Sequence, residues 1–154
     1  MHAFLLWFLV PLFGVVAFLA RPSSGDSALP SGHLILQVEG DARALQVTRI
    51  TRKPDPHNPV VGVASAYAVV VQDAAGAELG RYPLDLSRFD LDPARIGQAP
   101  RVAGCEVWDA RVAMLTNVPD FAGAARLELR RGDVLLGAVE GAAFARLLAE
   151  GQGR

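Results

Sequence analysis

The sequence predicts an all-β protein: an antiparallel sandwich of about seven strands, with an apolar helix before it and a short helix after it. Three observations carry that prediction. Beyond residue 32 the chain breaks into short runs of alternating apolar and polar residues, separated by Gly, Pro and Asp turn signals. Two pairs of runs are joined by tight glycine-containing turns, at DAAG and at RRGD, as hairpins require. The 154 residues, less an apolar leader, leave enough chain for one modest core.

The leader comes first. From Ala3 to Ala20 there is no charged residue, and Phe, Trp, Leu and Val dominate. At the helical rise this run is about 27 Å long, close to the thickness of a bilayer core. A core helix in so small a domain would show a polar face, and this one has none. Residues 1–20 therefore read as a signal peptide or a membrane anchor. Both readings stay open: Ser23 and Gly25 form a small-x-small pair that would place a cut before Asp26, whereas the run is long enough to span. Either way the rest of the chain is expected outside the cytoplasm. Residues 21–32, RPSSGDSALPSG, are a linker by composition.

The strands follow over residues 33–139. HLILQVE sets Leu34, Leu36 and Val38 on one face and Gln37 and Glu39 on the other. GDA turns the chain into RALQVTRIT, where Leu45 and Val47 alternate with Gln46 and Thr48. KPDPHNP holds three prolines and reads as a stiff surface connection. VVGVASAYAVVVQ is apolar on both parities, which predicts a strand buried on both faces and central in its sheet. QDAAGAELGRYPL predicts a hairpin with Gly76 at positive φ. In FDLDPARIGQAP, Asp92 before Pro93 suits the cap of a single helical turn. CEVWDARVAML reads as one long or bulged strand. In ARLELRRGDVLLGAV, Leu127 and Leu129 alternate with Arg126, Glu128 and Arg130, and a turn at Gly132–Asp133 pairs Leu129 with Leu136 or Val134. Leu129→Asp is then expected to be severe and Arg130→Asp mild. Over residues 140–154, Phe144, Leu147 and Leu148 fall at helical spacing, ended by Gly151.

The hairpins VVVQDAAGAELGRYPL and LELRRGDVLLGAV resemble those of immunoglobulin-like β-sandwich accessory domains of secreted bacterial proteins, including domains beside some exported metallopeptidases. The resemblance is architectural. It implies a binding or spacer role and transfers no site residue, and the HExxH motif of the metallopeptidases is absent from this sequence.

Composition narrows the function further. The net charge of -1 lacks the basic excess that nucleic-acid binding needs. Lys53 is the sole lysine, while Ala, Gly, Arg and Pro abound, the usage of a GC-rich bacterial genome. No cofactor motif or cysteine-type zinc cluster is present.

Candidate sites are few. Cys105, the single cysteine, reads as a buried small apolar residue, or as the donor of an intermolecular disulfide in an oxidising compartment. Trp108 and Tyr82, with Tyr67 and Phe121, are candidates for a partner-binding or carbohydrate-stacking surface; core filling is the competing role. Asp85, Asp90 and Asp92 bunch as calcium ligands can, without the glycine and distal glutamate of an EF-hand. The RGD at Arg131–Asp133 is also an adhesion tripeptide, but glycine and aspartate are what a tight turn requires. The expectation is a non-catalytic exported module, periplasmic, secreted or anchored, that binds an envelope protein or a polysaccharide. The alternative is a small exported hydrolase or thiol-dependent enzyme, which a polar pocket holding Cys105, or a histidine beside a carboxylate, would favour.

Overall fold

The computed structural model describes residues 30–57 and 63–152. The leader, most of the linker and the stretch containing Val61 and Gly62 lie outside the described residues.

Strand β1 (His33–Gly40) buries Leu34, Leu36 and Val38 completely, as its alternation predicts. Asp41 turns the chain by accepting from the amides of Arg43 (2.8 Å) and Ala44 (3.2 Å), and β2 (Leu45–Lys53) returns antiparallel to β1. A bulge opposite Gln37 and Val38 leaves Thr48 without a partner. That extra residue switches the parity of β2, so Leu45 and Ile50 both reach the core.

Strand β3 (Tyr67–Asp73) starts later than the apolar run suggests, because Val63–Ala66 are not extended into the sheet. It is interior, as expected. Its hairpin partner β4 (Glu78–Pro83) follows a turn in which Asp73 accepts from Ala75 and Ala77 and Gly76 takes φ +83°. The next stretch is irregular, with a 3₁₀ turn at Pro93–Arg95 capped by Asp92.

CEVWDARVAML is not one strand. Arg101–Ala103 (β5) and Glu106–Trp108 (β6) form a separate two-stranded hairpin. The chain breaks at Asp109–Arg111, where the Asp109 carboxylate accepts from the Arg111 amide at 2.9 Å, before β7 (Val112–Pro119). Strands β8 (Ala124–Arg131) and β9 (Val134–Glu140) make the last hairpin. Its register corrects both expected alternatives: a bulge at Leu136 sets Leu129 opposite Gly137 and Arg130 opposite Leu135. Leu136 and Val139 are buried, and Val134 and Leu135 are left exposed near the turn.

Seven of the nine described strands form two antiparallel sheets, in the orders β2-β1-β7 and β4-β3-β8-β9. Their inner faces share one core, from Leu34, Leu36 and Val118 on one side to Val69, Val71, Leu127 and Leu129 on the other. This mostly-β architecture is compatible with a β-sandwich. Helix α1 (Gly141–Gln152) packs mainly on β2, with Phe144 and Leu147 buried and Leu148 partly so. Gly151 does not end the helix. It lies inside the last turn, where a Cβ would run into the Ile50 carbonyl oxygen, so glycine lets the helix touch the β2 backbone. Gly137 does the same for β9, against the carbonyl of Leu45.

On the outer face of the second sheet, Val70 is as buried as the core residues because charged side chains lie over that face. Glu128, only 3% exposed, opposes Val70 on β8. It is held by Arg130 (2.6 Å) and Arg126 (2.7 Å), and Arg126 also reaches Glu140 (2.5 Å). Burial works against the charge of Glu128, but the Arg130 hydrogen bond and the charges of Arg130 and Arg126 outweigh it and hold the carboxyl below its usual pKa.

Candidate interaction surface

The β5–β6 hairpin is tied down at its root and bare at its tip. At the root, Phe89 and Asp109 form a parallel bridge, and the Asp90 amide donates to the Asp109 carbonyl at 2.8 Å. The Asp90 carboxylate lies between Arg95 (3.5 Å) and Arg101 (3.6 Å). Arg101 opposes Trp108 across the ladder and sets its guanidinium carbon 4.8 Å from the centre of the indole ring, a cation–π contact. Three charged residues and a tryptophan therefore meet at the root of the hairpin.

The tip is a two-residue turn, Gly104–Cys105, with Gly104 at φ +62°. Just inside it Val102 and Val107 face each other across the strands, 65% and 59% exposed. Together they make a small exposed apolar patch near the tip. Beside the root is an open depression of about 420 Å³, lined by Gly40, Asp41, Ile96, Pro100, Asp109 and Arg111 among others.

Cys105 is exposed, which corrects the expectation of a buried cysteine. The reason is local: the run assigned to one strand is interrupted, and the cysteine falls on a turn whose flanking strands add nothing to the core. Its thiol is sterically free to pair with another. The cysteine and the described histidines are not brought together. His33 sits opposite Pro119 at one end of β7, whereas the Cys105 hairpin precedes Val112 at the other.

The proposed aromatic grouping also divides. Tyr82 on β4 is partly buried, with its ring edge-on to His57 at 5.6 Å and tilted against Phe121 at 6.5 Å; burial raises the pKa of its phenol. Tyr67 packs against the core. Trp108 belongs to the hairpin at the opposite end of β7, so no shared stacking platform exists. Tyr82 holds the end of the fold together, and Trp108 alone remains at a candidate surface.

The acidic bunch divides likewise. Asp85 accepts from the Ser87 hydroxyl (2.6 Å) and amide, which lower its pKa; Asp90 serves the two arginines and Asp92 caps its turn. Among the described residues no group of three or more His, Cys, Asp or Glu side chains is placed to hold a metal ion, and no helix is long and apolar enough to cross a membrane. Of the RGD, Gly132 (φ +55°) and Asp133 form the exposed β8–β9 turn, and Arg131 is the last residue of β8.

The hairpin itself is what sequence reasoning missed. The signal was present in RVAGCEVW, a glycine turn between two short alternating runs, but the cysteine drew it into the following strand. Comparison with family models, with curated proteins and with solved structures found no match.

Proposed function

We propose that this chain is an exported, non-catalytic, immunoglobulin-like module that binds a protein or polysaccharide of the bacterial cell envelope through the β5–β6 hairpin. The observation that carries the reading is the exposed Val102–Val107 pair on a hairpin with a fixed root. Exposed apolar area on a hairpin outside the core supports a contact surface. Trp108 and Arg101 at its base supply the residue types that most often dominate binding energy.

The order of the four-stranded sheet, β4-β3-β8-β9, supports the immunoglobulin-like part, because it matches C′-C-F-G of that fold. The other sheet departs from A-B-E, since its first strand rather than its second is central. The uncharged run of residues 3–20 supports export and leaves the leader either removed or retained in the membrane.

The test compares the full chain with a Val102→Asp/Val107→Asp variant in binding to solubilised envelope proteins and to envelope polysaccharide. Binding should fall at least tenfold while the thermal melt stays unchanged, because neither valine belongs to the core. Undiminished binding by the variant would reject the hairpin as the contact surface. An equal loss of melting temperature would make it a structural element instead.

A further inference from the structure

Strand β7 is an edge strand whose only strand partner, among the described residues, is β1. The direction of its backbone groups follows from two independent contacts. The Asp120 amide donates to the Gly32 carbonyl at 3.0 Å, extending the β1–β7 ladder, so even-numbered residues turn towards β1 and odd-numbered ones away. In agreement, the carbonyl of Asn117 accepts from His57 Nε2 at 3.2 Å, on the side away from β1. A carbonyl can only accept, so the ring proton lies on Nε2 in this pairing.

The outward-facing residues are thus Ala113, Leu115, Asn117 and Pro119. Half of that edge is blunted: His57 occupies Asn117, and Pro119 has no amide to offer. The other half is open among the described residues. None of the described residues bonds the amides or carbonyls of Ala113 and Leu115. Val112–Val118 carries no charge, pairs with β1 without a bulge and presents Leu115, 67% exposed, beside an exposed Ala113. At Ala113 and Leu115 the described residues supply no charge, proline or bulge of the kind that keeps edges from pairing.

We propose that this open half of β7 pairs with the same edge of a second copy of the chain, antiparallel, about a two-fold axis at Met114. In that register Ala113 of each copy opposes Leu115 of the other, and the two pairs exchange four backbone hydrogen bonds. The large side chain meets the small one, and no like charges oppose each other. The neighbouring registers fail. An axis at Leu115 calls on Asn117, already bonded to His57, and an axis at Ala113 sets Arg111, whose amide is held by Asp109, against Leu115. The Met114 axis uses only groups that no described residue bonds, and it fuses two three-stranded sheets into one of six. A ladder this short makes a small interface, so the pair belongs with weak, transient associations.

The full chain carrying Cys105→Ser, which removes any disulfide link through the hairpin, is the material for the test. Sedimentation equilibrium from about 1 µM to 1 mM should show a monomer–dimer equilibrium. Adding Leu115→Lys should weaken it at least tenfold without shifting the melt, since that side chain is exposed. Met114→Cys in the same background should cross-link on oxidation with copper phenanthroline, because residues on the axis of a non-hydrogen-bonded pair lie within disulfide reach. A monomer throughout the range, a dimer indifferent to Leu115→Lys, or no cross-link from Met114→Cys would each overturn the proposal. Should Leu115→Lys fail to fold, the association of the parent and the cross-link still decide.

Discussion

Leu129 and Arg130, adjacent on β8, separate two kinds of damage. Leu129 is buried in the shared core, so Leu129→Asp sets a charge there without a partner and should cost about 4 kcal/mol or more, read from chemical denaturation. Arg130 was expected to be a tolerant outward residue, and outward it is. It nevertheless covers the buried Glu128 and donates to it, so Arg130→Asp adds a second carboxylate beside one already short of solvent. About 2 kcal/mol is the expected loss, against near zero for a bare surface position. Alternation identifies which way a side chain points, and it is silent on what lies over it. Glu128 itself gives a pH signature. Its folded pKa is depressed, so its contribution is present above the unfolded value near 4.3 and is lost as pH falls through the folded value. Glu128→Gln should therefore flatten the fall in stability below about pH 4.5 in acid titrations of the melt, while lowering stability at neutral pH.

Whole elements were legible where local chemistry and tertiary packing agree. The apolar face of β1, the Asp73–Gly76 turn and the Asp92 cap all stand where the sequence places them, because each depends on residues within a few positions. Bulges were not legible. The extra residues Thr48 and Leu136 shift parity through pairing with distant strands, and no local pattern marks them. Gly151 was misread as a helix end for the same reason: its cause is the Ile50 carbonyl, a hundred residues away. Helix propensity alone says that Gly151→Ala stabilises by about 1 kcal/mol. Packing says the reverse, and the expected outcome is a loss of about 1–3 kcal/mol with α1 displaced from β2. A thermal melt gives the sign, and amide exchange of Phe144 and Leu147 locates the damage.

At the scale of the molecule, the two-sheet plan was readable from strand spacing, and the candidate surface only in part. Trp108 and Cys105 were singled out, but on a supposed core strand; Tyr82 was grouped with Trp108 although the fold sends them to opposite ends of β7. Distances between segments far apart in sequence are set by topology, which periodicity does not encode. The proposed export is testable at this scale. A reporter active only outside the cytoplasm, fused to the full chain, should be active, and deletion of residues 1–20 should abolish that activity; activity surviving the deletion would refute the role assigned to the leader. The central position of β1 bears on the same route through time rather than space. The first of the described strands lies between β2 and β7, and its His33 pairs with Pro119, 86 positions later. Loop closure over that length is slow, and domains dominated by such distant pairings fold in milliseconds to seconds. Until β7 arrives, sheet β2-β1-β7 is no more than a hairpin, which is marginal alone in water. A chain threaded through a membrane pore must be unfolded while it passes. The leading described strand of this one has no finished sheet to join until about half of the sequence has followed it, a delay that suits the threading the proposed export requires.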